Sequence, residues 1–161
     1  MEWIVLDRVG DKVLLLSRYG VETDEYYHYD TWEESEVRRE LNEYFYVGAF
    51  SPSERERIVK TEIKTPNDTG IDIVTEDYVF LLSESEVLEG KAQDGSPYFK
   101  DNAVRQTIPV PWYGIAWMYS DCENDDWDGI QTKWMLRAKE NNMHRTWVTK
   151  EGTVKEDGTP H

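Results

Sequence analysis

The sequence predicts an α+β fold, in which short strands and short helices are interleaved without the regular spacing of a βαβ protein. The chain opens with two apolar runs, Trp3–Val9 and Lys12–Ser17, joined by Gly10-Asp11. A two-residue connection of this kind is typical of a type II′ β-hairpin turn. Within Trp32–Tyr46 the apolar side chains recur at positions i, i+4, i+7 and i+8, which predicts an amphipathic helix.

Three capping boxes indicate where helices begin. Thr31–Glu34 precedes the amphipathic helix, and Ser51–Glu54, with Pro at the first helical position, predicts a short helix that ends near Ile58. Ser83–Glu86 predicts another short helix, which Gly90 ends. We therefore expect two to three short helices.

The remaining segments are predicted to be strands or loops. Alternation at 59–63 predicts a strand, the polar segment 91–106 a surface loop, and the two prolines of 108–111 an extended or edge segment. Lys133–Arg137 predicts another strand, and 144–155 a closing hairpin that turns at Glu151-Gly152. Because the chain has no internal repeat or low-complexity tract, residues 1–161 are predicted to form a single domain.

The phase of the amphipathic helix predicts which side chains are buried. Together with the apolar run 78–82 it places in the core Trp32, Leu41, Phe45 and Leu81. Four glutamates then follow one another along the helix at i, i+3, i+7 and i+10, over about 15 Å: Glu33, Glu36, Glu40 and Glu43. This row could imitate the phosphates of a nucleic-acid strand. The alternative is a solvated helix face, with the first three glutamates exposed.

The charge of the chain limits the classes of partner. Thirty-three acidic against eighteen basic side chains give a formal net charge of -15, which repels nucleic-acid phosphates and anionic membrane surfaces. Direct binding to either is not expected. A field of this sign suits a basic protein partner, although acidity also serves solubility alone.

Enzyme signatures are absent from the sequence. The single Cys122 supplies no intrachain disulfide, cysteine-rich zinc site or catalytic cysteine pair, and the three histidines are far apart in the chain. There is no phosphate-binding glycine loop, no Gly-x-Ser-x-Gly elbow and no His-Glu-x-x-His motif. The start of the chain does not resemble a signal peptide and no run reaches membrane-spanning length, so we expect a cytoplasmic protein.

An aromatic and acidic stretch is the main candidate for a binding site. Trp and Tyr crowd into residues 112–127 beside several carboxylates, and binding hot spots favour these two aromatic residues. The predicted partner-binding residues are Trp112, Tyr113, Tyr119, Asp125, Asp126, Trp127 and Asp128. The alternative is that some of these rings are core residues, with Trp117 and Met118 the first candidates for burial.

The same stretch contains part of a calcium-loop pattern. Asn124–Gly129 matches the first half of an EF-hand loop, but Met135 occupies the position of the closing glutamate, which excludes an EF-hand. A simpler loop-type calcium site would use Asp121, Glu123 and Asp125. Calcium is the one cofactor for which the sequence offers a candidate site.

Several segments in order resemble a bacterial domain family of unknown function, DUF6273. These are Glu2–Leu6, Lys12–Ser17, Thr31–Arg38, Val79–Ser83 and Lys133–Arg137. The resemblance implies a C-type-lectin-like fold with an antiparallel sheet, distantly similar to formylglycine-generating enzymes. It implies a binding scaffold, because the chemistry of those enzymes needs a cysteine pair that one cysteine does not supply.

Two functions from different classes follow. The first is a non-enzymatic recognition domain that binds a protein or a glycan. The second is an acidic inhibitor of the phage or anti-CRISPR kind, in which Glu33–Glu43 or Asp121–Asp128 occupies the basic nucleic-acid groove of a host nuclease. A metal-assisted hydrolase that uses the carboxylates is a third alternative. An affinity that falls steeply with ionic strength would distinguish the inhibitor from aromatic-centred recognition.

Overall fold

A computed structural model describes residues 2–20, 31–66, 70–106, 108–109, 134–137 and 145–157. In chain order its strands are β1 (Trp3–Val9), β2 (Lys12–Ser17), β3 (Tyr19–Gly20), β4 (Thr61–Thr65), β5 (Ile73–Asp77), β6 (Ile108–Pro109), β7 (Trp134–Met135), β8 (Arg145–Val148) and β9 (Val154–Asp157). Its α-helices are α1 (Glu36–Arg39), α2 (Tyr46–Ala49), α3 (Pro52–Arg55) and α4 (Glu84–Glu89). A π-helical segment (Glu40–Phe45) joins α1 to α2, and Ala103–Arg105 forms a 3₁₀ turn. The predicted α+β class is confirmed.

The residue contacts divide the chain into two compact units. Unit 1 contains Met1–Glu22, Glu84–Met135 and Trp147–Lys155. Unit 2 contains Thr23–Ser83, Leu136–Thr146 and Glu156–His161. Each unit thus draws on three separate segments of the chain. The single domain and the lectin-like scaffold stay predictions.

The first hairpin of unit 1 has the predicted bounds. β1 and β2 pair antiparallel from Trp3 with Ser17 to Val9 with Lys12. Gly10 has a φ of 62°, which the first central residue of a type II′ turn requires and which a residue without Cβ adopts at no steric cost. The pairing shifts between Val5 and Asp7, so β1 contains a β-bulge.

The core of unit 1 is formed by side chains from distant segments. Its buried apolar residues are Leu6, Val87, Phe99 and Val148. Phe99 contacts Trp134, with ring centroids 6.4 Å apart, and the Trp134 indole donates to the carbonyl of Arg105 over 2.9 Å. Phe99 shows that the predicted loop 91–106, although largely exposed, contributes one anchor to the interior.

The predicted closing hairpin and the predicted late strand are both present. β7, β8 and β9 form one sheet in that order. Between β8 and β9 the chain turns at Gly152, whose φ is 78° and whose N–H donates to the carbonyl of Thr149. A Cβ on Gly152 would lie 1.7 Å from the carbonyl oxygen of Asn102, so no other residue fits there. The segment 108–109 pairs with β3, in parallel.

The amphipathic helix of unit 2 begins later than predicted. Thr31 caps only a turn, in which its hydroxyl accepts from the N–H of Glu34 over 3.4 Å. The helix itself is capped by Ser35, whose hydroxyl accepts from the N–H of Arg38 over 3.2 Å. Thr31 and Ser35 are both suitable N-cap residues, and the helix begins after Ser35, which lies nearer the apolar stripe. α3 likewise ends at Arg55, short of the predicted Ile58.

The predicted core of unit 2 is partly confirmed. Trp32 and Leu41 are buried, with 1% and 4% of their surface exposed. Phe45 is only half-buried, because the π-helical segment turns more slowly than an α-helix and rotates the apolar stripe. Leu81 is also half-buried, whereas Leu82 is 4% exposed. The carbonyl of Leu82 accepts from the N–H of Arg137, and this pairing anchors it in the interior.

No helix among the described residues is both long enough and apolar enough to cross a membrane.

Candidate functional site

Unit 2 contains an open groove of about 450 Å³. Eight of its eleven lining residues are charged. They are Glu33, Glu34, Ser35, Arg38, Arg39, Asn42, Glu43, Lys60, Glu76, Asp77 and Tyr78. A groove without aliphatic lining favours charged or hydrogen-bonding ligands.

A buried carboxylate fixes one wall of the groove. Asp77 is 1% exposed, and its Oδ1 accepts from Arg38 Nε over 2.7 Å. Its Oδ2 accepts from Trp32 Nε1 over 3.0 Å and from the Thr75 hydroxyl over 2.8 Å. The alternation of β5 places Thr75 and Asp77 on the same inward face. The buried charge is therefore fully compensated, as burial of a carboxylate requires.

Arg38 is held in place by this carboxylate but keeps donors for another partner. Its Nη1 donates to the carbonyl of Glu33 over 3.0 Å, and about a quarter of its side chain, 27%, is exposed. Within the described parts of the chain its Nη2 group has no hydrogen-bond partner. A guanidinium oriented by a buried acid is suited to recognise an acceptor group, because little side-chain entropy is lost when it binds.

Asn42 links the helical segment to the backbone that follows Asp77. Its Nδ2 donates to the carbonyls of Arg38 and Val79, each over 2.9 Å. Its Oδ1 accepts from the N–H groups of Tyr78 and Val79, over 2.7 Å and 3.2 Å. All four hydrogen-bonding positions of this amide are thus used.

The π-helical geometry accompanies this arrangement. The N–H of Tyr46 donates to the carbonyl of Leu41, five residues back, and the Asn42 side chain bonds the carbonyl of Arg38, four residues back. Segments of this kind are frequent at functional sites. Here the segment brings Asn42 and Glu43 to the groove. The ring of Tyr78, which also lines the groove, stacks on Tyr46 with centroids 4.4 Å apart.

The charges of the groove do not cancel. Its lining holds five carboxylates and three cations. Arg38 pairs with Asp77, Lys60 with Glu76 over 3.6 Å, and Arg39 with Glu36, which lies outside the lining. In the part of the structure that is described, three lining carboxylates have no ion-pair partner: Glu33, Glu34 and Glu43. The groove therefore favours a cationic group.

The predicted row of four glutamates does not form along one helix face. Glu33 precedes the Ser35 cap and is not helical, so this part of the prediction was wrong. Glu36 is exposed in the first turn, Glu40 is half-buried rather than exposed, and Glu43 lies in the π-helical segment. Only Glu33 and Glu43 of the row line the groove.

The other predicted sites lie outside the described residues. This applies to the partner-binding residues Trp112, Tyr113, Tyr119, Asp125, Asp126, Trp127 and Asp128, and to the calcium ligands Asp121, Glu123 and Asp125. They stay predictions. Among the residues that the structure does describe, no three His, Cys, Asp or Glu side chains lie close enough to hold a metal ion.

Sequence reasoning did not predict the hydrogen-bond network of Asp77, Arg38 and Trp32 that forms one wall of the groove. The signal that could have found it is Asp77, because the inward positions of its strand hold Ile73, Thr75 and then this acid. A charged residue at an inward position predicts a buried partner of opposite charge. The partner, Arg38, is 39 residues away, so sequence spacing alone could not identify it.

Comparison with known proteins gives the family of the chain but no function. No curated protein and no solved structure matches the chain. Residues 10–160 match the family described as "Domain of unknown function (DUF6273)", in agreement with the resemblance of the ordered segments. Since the match covers nearly the whole sequence, the chain belongs to the DUF6273 family.

Proposed function

We propose that this chain is a non-enzymatic recognition domain that binds a protein partner by accepting one of its basic side chains in the groove of unit 2. The observation that carries the proposal is the combination of Glu33, Glu34 and Glu43, which have no ion-pair partner among the described residues, with the hydrogen-bond network around Asp77. Arg38, which this network holds in place, loses little conformational entropy on binding. The family's resemblance to C-type-lectin-like scaffolds is consistent with a binding role.

The chemistry of recognition follows from the lining. A lysine or arginine of the partner would donate charge-assisted hydrogen bonds to the carboxylates of Glu33, Glu34 and Glu43. Arg38 Nη2 would donate to a backbone carbonyl of the same partner segment, since a peptide always offers such acceptors beside its basic side chain. The groove thus suits an exposed basic loop or chain terminus of a protein.

The test is retrieval of a partner from the native host with the purified domain as bait, at about 0.05 and 0.5 M salt, a range over which the Debye length falls severalfold. The wild type should retain more of the partner at the lower salt concentration than at the higher one, and the double variant Glu33→Gln and Glu43→Gln should lose the partner at the lower concentration. The matched control, Glu56→Gln and Glu89→Gln, removes the same charge from exposed positions outside the groove and should retain it. Equal retention by the two variants would place the site elsewhere, with 112–128 the next candidate.

The acidic inhibitor is the second candidate, and the net charge of -15 favours it. In this case the partner is a nuclease, and its nucleic acid should displace the chain because both occupy one basic groove. Competition by nucleic acid therefore separates the two functions. A glycan partner would differ from both, because binding to a neutral sugar should change little with salt.

A further inference from the structure

One face of the first hairpin in unit 1 is apolar and exposed. The strand register places Val5 opposite Leu15 and Trp3 opposite Ser17. Val13 lies two residues from Leu15 on the same strand and therefore on the same face. Between 37% and 47% of each of the four large side chains of this "hairpin face" is exposed: Trp3, Val5, Val13 and Leu15.

The opposite face of the same two strands is covered. Leu6 is 7% exposed, and Ile4, Leu14 and Leu16 are half-buried. A two-stranded sheet that needs only one apolar face for its own packing would ordinarily carry polar residues on the other. Contiguous exposed apolar side chains of this kind are typical of surfaces that bind another protein.

The local charge indicates which protein fits. Residues 2–20 contain three acidic side chains (Glu2, Asp7 and Asp11) and three basic ones (Arg8, Lys12 and Arg18). The hairpin is therefore neutral, whereas the whole chain carries -15. Several of its charges are also used internally, since Glu2 pairs with Arg18 and Asp7 accepts from the N–H of Gln93.

A neutral surface offers a cationic partner no carboxylate left over for an ion pair at the contact itself. Two copies of the chain, each with a charge of -15, repel one another wherever their acidic surfaces meet. They can therefore approach most closely through a surface that has no net charge. We infer that the hairpin face is the surface through which two copies of this chain associate, with Val5 and Leu15 of one copy against the same residues of the other. In such a two-fold contact each residue takes part twice, once from each copy.

A dimer formed through the hairpin face should respond to salt in the opposite way to an interface held by ion pairs. Apolar contacts are insensitive to moderate ionic strength, while the repulsion between two anionic copies is screened. Association should therefore strengthen as salt rises from about 0.05 to 0.5 M. An interface held by ion pairs would weaken over the same range. This response also differs from that of the groove, whose binding to a cationic group should weaken with salt.

Sedimentation equilibrium of the full chain measures this directly. The wild type should dimerise, more tightly at high salt. Val5→Ser with Leu15→Ser should weaken the dimer by at least about tenfold, since four apolar contacts are lost from a two-fold interface. Val13→Lys, which introduces a charge without truncating the side chain, should do the same. The matched control is Val74→Ser, at a 50% exposed strand position in unit 2, and it should leave the dimer unchanged.

Hydrogen exchange localises the contact and far-UV circular dichroism confirms that each variant is folded. Raising the protein concentration should slow exchange in 3–17 but not in 61–65. A dissociation constant weaker than about 1 mM at both salt concentrations would overturn the inference. So would a dimer that weakens with salt, or one that the hairpin variants and Val74→Ser affect equally. None of these three results would bear on the groove, which the Glu33 and Glu43 variants test separately.

Discussion

The groove of unit 2 is lined by charged side chains, of which Arg38 and Asp77 are held in place by a buried hydrogen-bond network. The hairpin face of unit 1 is lined by apolar side chains, and cross-strand pairing sets their positions. Binding at the first surface would depend on charge and should weaken when salt screens it, whereas binding at the second would depend on apolar area. The comparison predicts that one acidic chain carries two surfaces whose responses to salt are opposite.

The largest effect on the groove is expected from loss of its central carboxylate. Asp77→Ala leaves the guanidinium of Arg38, the indole N–H of Trp32 and the hydroxyl of Thr75 without their acceptor. Removing one partner of a buried ion pair lowers the free energy of unfolding by about 3 to 5 kcal/mol. We expect the lower end, because Arg38 is partly exposed and water can solvate it. Denaturant unfolding measures the change.

Glu76→Ala is the matched control for Asp77→Ala. Glu76 is the preceding residue of β5, lies on the exposed face, and pairs with Lys60 at the surface. Its loss should change the free energy of unfolding by about 0 to 1 kcal/mol. Similar losses in the two variants would mean that Asp77 does not hold the frame.

Truncation in the core should cost nearly as much, and the same truncation on the hairpin face should cost little. Leu41→Ala removes a buried side chain and should lower the free energy of unfolding by about 2 to 5 kcal/mol. Val5→Ala, measured in the same denaturant series, should cost less than about 1 kcal/mol, since Val5 is 45% exposed. A large loss for Val5→Ala would show that the hairpin face is part of a core.

A smaller loss is expected from Asn42→Ala. Two backbone N–H groups and two carbonyls lose the amide that satisfies them, and each buried polar group left unpaired costs about 1 to 3 kcal/mol. Because these groups are only half-buried and water can replace part of the amide, we expect a total near the low end of that range. Hydrogen exchange should accelerate at Tyr78 and Val79. Unchanged exchange there would contradict the assigned role of Asn42.

The first hairpin and the core of unit 2 show how far sequence reasoning reaches. The hairpin β1–β2 was predicted with its bounds because the turn residues lie between the two strands and determine its conformation. The burial of Trp32 and Leu41 followed from local periodicity in the same way. The π-helical segment was not predictable, because Asn42 takes its partners Tyr78 and Val79 from a segment 36 and 37 residues away.

The candidate site shows the same limit. Glu33 and Glu43 were recognised as carboxylates available to a partner, but as members of a straight helical row. Their actual arrangement depends on the late cap at Ser35 and on the π-helical segment. The frame around Asp77 joins β5 to residues 39 and 45 positions earlier, and only the folded chain brings these together.

The smallest predicted effect concerns a cap in unit 2, outside both surfaces. The side chain of Ser51 donates to Glu54, as does its backbone N–H over 2.7 Å, and these bonds hold the pKa of Glu54 below its usual value of 4.5. A carboxyl whose pKa is lowered by folding stabilises the fold above its unfolded pKa, and this contribution is lost as the pH falls through the folded pKa. Carboxyl NMR titration should therefore give Glu54 a lower midpoint in the wild type than in Ser51→Ala. Identical midpoints would contradict the role of the cap.

The β-bulge in β1 determines the pattern of side chains that the hairpin presents. The extra residue between Val5 and Asp7 separates two halves of the strand, and alternation restarts after it. Deleting Leu6 would remove the bulge and leave a regular ladder in which Val5 still faces Leu15 and Asp7 still faces Leu14, so Trp3 and Val5 would stay on the outward face. A strand that kept Leu6 but lost the bulge would instead pair Leu6 with Leu15 and turn Val5 inward. The extra residue therefore lets positions that are two apart in sequence, Val5 and Asp7, lie on opposite faces of one strand.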